Sequence, residues 1–353
     1  MNPKKVLIAM SGGVDSAVAA HRMHSLGYSC IGATMQLYCD PNKGTADIAD
    51  AAAVADRLGI AFHVLDFQDA FRTHVIEPFI RCYESGATPN PCIQCNRHLK
   101  FDLLLKKALE LDCAYIATGH YARISFDHDT GRFLLKKAAD PSKDQSYVLY
   151  SLTQEQLSHT LLPLGELTKD QVRSIAQDNG FINAHKQDSQ DICFVPDGDY
   201  AAFMESYTGK CYPNGSFLDL EGHVIGQHNG AVRYTLGQRK GLGLAMGAPV
   251  YVCDKDMEQN TVTVGPNEAL FASSLIASDW NWFPFPALEQ PMEVMARARY
   301  NQKEQPATVY PLADGKARVT FHQPQRALTP GQAVVLYRDD LVIGGGTIAS
   351  VEK

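Results

Sequence analysis

Over its first 120 residues the chain alternates short apolar runs with longer amphipathic ones, and this pattern restricts the fold more than any other feature. Residues 6–10 form an apolar run stopped by Ser11-Gly12-Gly13, and a helical pattern follows over 16–26. Residues 30–35 read as a second strand, 48–58 as an Ala-rich helix, 62–65 as a strand, and 70–83 as a helix. A helix over 98–111 and a strand over 114–118, ending in Gly119-His120, complete the series. Strands that alternate with helices predict parallel strands joined by crossover helices. The expected class is therefore α/β, with a Rossmann-like N-terminal domain whose ligands collect at the carboxyl ends of its strands. Residues 86–96, with two prolines and several turn formers, read as a loop. Residues 121–136 read as a hairpin, 153–179 as a helical stretch interrupted near Pro163, and 186–194 as a second loop.

Beyond about residue 200 the character changes. Apolar runs shorten, Gly and Pro recur, and β-branched residues dominate 250–253, 261–264, 317–321 and 333–337. Short strands at regular intervals predict an all-β unit. The expected division is 1–200 for the α/β domain, 201–272 for a small linking domain, and 273–353 for a C-terminal β-barrel. A chain of 353 residues is long enough for such a division.

Net charge is −7, which leaves no global basic footprint for nucleic acid. The acidity is uneven: from residue 280 onward 8 basic residues face 7 acidic ones, whereas the first 279 hold 24 and 32. Any RNA contact must therefore rest on local patches. No apolar run reaches the ~18 residues that a membrane span needs, and residues 1–10 read as a strand, not a signal peptide. Nine cysteines, an odd number without an export signal, imply reduced thiols in the cytoplasm and not a disulfide scaffold.

The chemistry centres on Ser11-Gly12-Gly13-Val14-Asp15-Ser16, set between the first strand and the first helix. Two glycines let backbone amides converge on phosphate oxygens, Ser11 and Ser16 add hydroxyls, and the helix N-terminus favours negative charge. Asp15 is placed to position a Mg²⁺. The loop is not the GxxxxGK[ST] of kinase-type NTPases; it resembles the SGGxDS loop of the N-type ATP pyrophosphatases, which cleave ATP to AMP and pyrophosphate. Further along, Thr88-Pro89-Asn90-Pro91-Cys92-Ile93-Gln94-Cys95-Asn96-Arg97-His98-Leu99-Lys100-Phe101 resembles the TPNPxxxCNxxxKF segment of the tRNA-specific 2-thiouridylases. Residues 188–194 resemble that family's second cysteine loop, and 117–121, 143–147, 234–243 and 329–333 also match. The resemblance runs in order over nearly the whole chain.

It implies an ATP-dependent enzyme that adenylates the C2 carbonyl oxygen of the wobble uridine of tRNAs for Lys, Glu and Gln, then delivers sulfur. Cys193 is implied as persulfide carrier, supplied by a cysteine desulfurase or sulfur-relay protein, and Cys95 as its catalytic partner, with a Cys95–Cys193 disulfide to be reduced afterwards. ATP contacts are implied for Ala9, Met10, Ser11, Gly12, Gly13, Val14, Asp15, Ser16, Met35 and Gly119. Contacts with tRNA are implied for Asn90, Pro91, Cys92, His120, Lys143, Asp144, Gln145, Arg299, Tyr300 and Gln332. Cys92 departs from the family, where Asp is common; with Cys95 and Cys193 it makes three thiols able to hold a [4Fe–4S] cluster or, with water, zinc. Cys30, Cys39, Cys82, Cys113, Cys211 and Cys253 read as small buried hydrophobes. Two other readings compete: an adenylating amide ligase of the same superfamily, which would not need Cys95 and Cys193 in loops, and a non-catalytic nucleotide-sensing module, disfavoured by the intact loop.

Overall fold

The run Lys5–Ala9 forms β1, with Val6, Leu7 and Ile8 fully buried because the strand is covered on both faces. It lies at the centre of a parallel sheet, with β2 (Ser29–Gln36) and β3 (Ala61–Asp66) on one side. On the other side lie β4 (Tyr115–Ala117) and a short edge strand, Thr160–Leu161. The strand order thus reverses between β1 and β4, and the crevice beyond their carboxyl ends is where this architecture receives ligands. The computed structural model describes residues 4–38, 44–187, 192–195 and 197–352.

Side chains alternate between the two faces of β1. Val6 and Ile8 join a cluster with α1 (Val14–Ser25), α2 (Gly44–Leu58) and the helix Lys169–Asp178, through Val18, Ala55 and Val172 among others. Leu7 faces the opposite way, into a cluster with Ile93, Phe101 and Leu104. Those residues belong to a continuous helix over 91–110, whose middle, Asn96–Leu103, is a π-helix between the α-helical Pro91–Cys95 and Leu104–Glu110. The preceding helix over 68–84 carries a π segment as well, at Arg72–Ile76.

The helix over 91–110 corrects the reading of 86–96 as a loop. Pro91 occupies the first helical turn, where its missing N–H costs nothing and its fixed φ favours entry. Cys92 and Cys95 therefore sit on a helix. The interruption near Pro163 proves to be the edge strand Thr160–Leu161, between the helices Gln154–Ser158 and Lys169–Asp178. Both helices open with a Thr capping box, at Thr153 and Thr168.

Beyond residue 200, the helix Tyr200–Thr208 leads to a four-stranded sheet with its own small core around Phe217, Val252 and Val262. The C-terminal part is a six-stranded antiparallel barrel, closed where Phe271–Trp282 pairs with both Ala317–Arg326 and Leu341–Glu352. The hairpin Arg123–Asp127/Arg132–Lys136, emitted by the N-terminal part, extends this barrel sheet through Leu341↔Lys136. Barrel residues Phe283, Val335, Tyr337 and Val342 share one buried cluster with Leu7 and Phe101. Among the described residues no helix is long and apolar enough to cross a membrane.

Candidate functional site

The loop after β1 is held in shape from outside. Met10 N–H donates to Ala33 O (2.8 Å), and Thr34 Oγ1 donates to Met10 O (2.6 Å). Gly12 has φ +73°, and a Cβ there would lie 2.4 Å from the carbonyl oxygen of Asp47, so only glycine fits. The Asn183 amide donates to Gly12 O (3.1 Å) and Gly13 O (3.2 Å). Lys186 Nζ reaches Gly12 O and pairs with Asp47 (2.8 Å) and Asp50 (2.6 Å). Ser16 Oγ donates to Gly13 O (2.9 Å) and accepts from Ser11 N (3.1 Å). The turn's carbonyls are thus tied down, while α1 has no side-chain cap, leaving its first amides for an anion.

Asp15, in the first turn of α1, is already engaged. Lys169 Nζ donates to both its oxygens (2.7 and 2.9 Å), and the Tyr121 hydroxyl donates to Oδ1 (2.8 Å). The cation that Asp15 holds is therefore an ammonium; a Mg²⁺ bound there would have to displace it. Met35, next to last in β2, and Ala9, last in β1, are both half-buried and pack against the cluster that holds Ile93.

Gly119 joins the loop to the cysteine helix. A Cβ at this position would come within 2.9 Å of the Asp15 and Ser16 backbone, so β4 ends in direct contact with α1. The next residue, His120, turns its ring onto Phe101 (5.5 Å between centroids), and its Nδ1 bonds Thr118 Oγ1 (2.8 Å). Burial first, and then Lys100, hold its imidazole well below the usual range, so it is neutral.

Cys95 is buried beside Phe71, Phe79, Leu99 and Phe194, an apolar setting unlike the polar loop expected. Burial pushes its thiol up to about 12; Lys100 opposes, while Cys193 and Cys92 add to the rise. Cys193 is exposed, yet crowding by protein still raises its thiol, with Cys92 adding and Lys100 opposing. Cys92, Cys193 and Lys100 all act electrostatically on the Cys95 thiol, and Cys92 and Lys100 act on that of Cys193. All described cysteines are free thiols. Cys211 is exposed, contrary to its reading as a buried hydrophobe, and Cys39 lies outside the described residues, as do 188–191 of the second cysteine loop.

Zinc needs sulfurs about 3.8 Å apart at Zn–S bonds of about 2.3 Å. Among the described residues the one group of three ligand atoms within 4.8 Å of one another is Asp219, Glu221 and His223. The three thiols are more widely spaced, so a zinc site is not preformed. A [4Fe–4S] cluster anchors each sulfur to a different iron and tolerates a wider spread, so this donor set fits it in kind.

The residues expected to meet RNA divide sharply. Asp144 is buried and accepts from Ala138 N (3.0 Å) and Ser146 Oγ (2.7 Å), and Gln145 Oε1 accepts from Tyr121 N (2.9 Å). Arg299 is tied inward through one nitrogen, Nη2, which donates to Leu236 O (3.2 Å), Ala327 O (2.9 Å) and Thr329 Oγ1 (2.5 Å), while its buried Nε has no partner. Gln332 donates to Thr88 O (3.0 Å) and Pro89 O (3.1 Å), fixing the segment before Pro91. These four side chains all make internal ties; the sequence shows their polarity but not these partners. Tyr300 remains partly exposed at 36%. Its hydroxyl donates to Asp144 O (3.4 Å), and burial pushes its phenol above the usual range, with Arg297 and Lys143 opposing and Asp144 and Cys92 adding. Tyr300 is thus bonded to the 143–145 segment and feels the charge of Cys92, whose helix opens at the buried Pro91 after the half-buried Asn90. Lys169 and Asn183 escaped the sequence reading, since nothing local marks them; Tyr121 and Lys186 fall in segments it singled out but received no role there.

The parallel sheet and its anion-ready first loop define a nucleotide-dependent enzyme built on a HUP domain. Family models agree: residues 4–197 match a tRNA methyl transferase HUP domain, 201–266 a tRNA methyl transferase PRC-barrel domain, and 272–348 an aminomethyltransferase beta-barrel domain. A tRNA-specific 2-thiouridylase MnmA of Acetivibrio thermocellus is 49% identical over 358 residues, 99% of this chain and 100% of that protein. The counterpart of Carboxydothermus hydrogenoformans is 50% identical over 356 residues, 98% of this chain and 97% of its own. The chain belongs to the tRNA-specific 2-thiouridylase family. A solved 4-thiouridine synthetase, in complex with RNA and ATP, is more distant: TM-score 0.39 and 16% identity, over 57% of this chain and 50% of that one.

Proposed function

We propose that this chain is a cytoplasmic enzyme that uses ATP to replace O2 of the wobble uridine of tRNA (Lys, Glu and Gln type) with sulfur. The observation that carries the reading is the contact chain through Gly119 and His120. One side abuts the Asp15–Ser16 backbone, the other the helix that bears Cys92 and Cys95. Division of the chain at about 200 and 272 assigns activation to the first part and RNA support to the barrel.

In this mechanism ATP lies over residues 9–16, with Met35 near the adenine and Gly119 giving the backbone room. A Mg²⁺ would neutralise the phosphates' charge, and Asp15 would hold it only once released from Lys169. The uridine, single-stranded in the anticodon loop, flips in beside Asn90, Pro91 and Cys92, with Tyr300 available for stacking. Its O2 attacks the α-phosphorus, pyrophosphate leaves, and N3 loses its proton. The terminal sulfur of a Cys193 persulfide, loaded by a cysteine desulfurase or relay protein, attacks C2, and the C–O bond breaks to release AMP. Cys95 then attacks Cys193 Sγ. The S–S bond electrons pass to the uridine sulfur, the Cys95 proton restores N3–H, and a Cys95–Cys193 disulfide is left for a dithiol reductant.

A second route for sulfur is favoured by Cys92 alone: Cys92, Cys95 and Cys193 would hold a [4Fe–4S] cluster whose fourth iron supplies a binding point for sulfide.

The test is a defined assay with ATP, tRNA and a sulfur donor. Pyrophosphate should appear only when tRNA and ATP are both present, and Cys193→Ser should form no 2-thiouridine while still binding ATP. Pyrophosphate release without tRNA, or full product from Cys193→Ser, overturns the reading.

A further inference from the structure

Lys100 stands five residues after Cys95, where the helix has π-helical geometry. On an α-helix that spacing puts two residues about 140° apart. Closure by i→i+5 bonds brings residue i+5 back over residue i. The wide turn therefore swings Lys100 onto the Cys95 side of the helix, while the adjacent Phe101 points into the core against His120.

Several lysines sheltered by the fold are neutralised by carboxylates: Lys137 by Glu304, Lys169 by Asp15, and Lys186 by Asp47 and Asp50. Lys100 is half-buried too, and among the described residues no carboxylate pairs with it and no acceptor takes a hydrogen bond from it. The groups that feel its charge are Cys95, Cys193 and His120, all uncharged in their protonation states at neutral pH. A cation that has no counter-ion among the described residues and lies among neutral groups is suited to an anion that arrives during turnover.

We propose that Lys100 is the residue that holds the anionic terminal sulfur of the Cys193 persulfide and steers it toward C2 of the activated uridine. This rests on the reading of Cys193 as sulfur carrier. The persulfide S–SH gives up its proton to solvent, and the ammonium faces the resulting S⁻. As the C2–S bond forms, the negative charge moves from that sulfur to the departing AMP. Lys100 changes no bond itself and keeps its protons throughout.

The experiment uses the full-length protein and compares alkylation of Cys193 by anionic iodoacetate and neutral iodoacetamide. Adduct formation is resolved by peptide mass spectrometry, with the exposed Cys211 as internal reference. Relative to Cys211, the iodoacetate-to-iodoacetamide ratio at Cys193 should fall about fivefold in Lys100→Met. Lys100→Arg should keep the ratio. In the unsubstituted protein added salt should lower it, a readout that needs no variant to fold. Thiolation kcat should fall at least about tenfold in Lys100→Met, with KM for tRNA little changed and Lys100→Arg restoring much of the rate. A ratio indifferent to both Lys100→Met and salt overturns the proposal, as does Lys100→Arg being as impaired as Lys100→Met. Thiolation by Cys193→Ser would instead sink the sulfur-carrier reading, whatever Lys100 does.

Discussion

Asp15 sits in the most legible motif of the sequence, yet its partners were invisible there. A carboxylate in a Gly-rich loop suggests a metal, whereas Lys169, 154 positions later in the chain, fills that role in this structure. Lys169 is only 9% exposed at its side chain, so removing Asp15 strands a nearly buried charge. Asp15→Asn and Lys169→Met should each lower unfolding free energy by about 2–3 kcal/mol in urea titrations. The double variant should lose clearly less than the sum, with a coupling of at least about 1 kcal/mol. All three should fail to release pyrophosphate, which separates a chemical role from a structural one. Additive losses would show that the pair is not coupled. The same blindness to direction applies to Arg299 and Gln332: their residue types suit RNA phosphates and bases, but only coordinates reveal the backbone carbonyls that each also bonds.

At the scale of elements, the parallel strands were readable because continuous apolar runs such as Val6-Leu7-Ile8 cannot face water on either side. Loops were harder. Two prolines in 86–96 look like punctuation, yet the second opens a helix, and that difference decides whether Cys95 is solvated or buried. The edge strand Thr160–Leu161 is too short to show any period. What sequence could not convey is how tightly elements meet at the switch point. Gly119 is the sharpest case, since its Cα faces the backbone where α1 begins. Gly119→Ala should force β4 and α1 apart at a cost of about 1–3 kcal/mol. The thermal shift that ATP gives the parent protein should disappear in this variant, as read by differential scanning fluorimetry. An undiminished shift would mean that nucleotide does not depend on this contact.

Across the whole molecule, the three-part plan follows from the change in composition near residue 200, but its connectivity does not. Sequence separation hides that the hairpin 123–136 leaves the α/β part to extend the barrel sheet. It also hides that Arg132 donates to Trp282 O and Phe283 O, and that Asn281 donates to Tyr150 O and Leu152 O. Phe283, Val335 and Tyr337 then pack into the same core as Leu7 and Phe101, so neither part owns that core. A shared core binds two units into one cooperative transition. Both tryptophans, Trp280 and Trp282, lie on the barrel strand Phe271–Trp282. Most helices lie in the α/β part. Tryptophan fluorescence and far-ultraviolet helix signal therefore report on opposite sides of the shared core, and on heating they should change at one midpoint, within about 2 °C. Midpoints several degrees apart would mean that the barrel melts alone, and that the α/β part keeps its shape without the residues that now fill its second face.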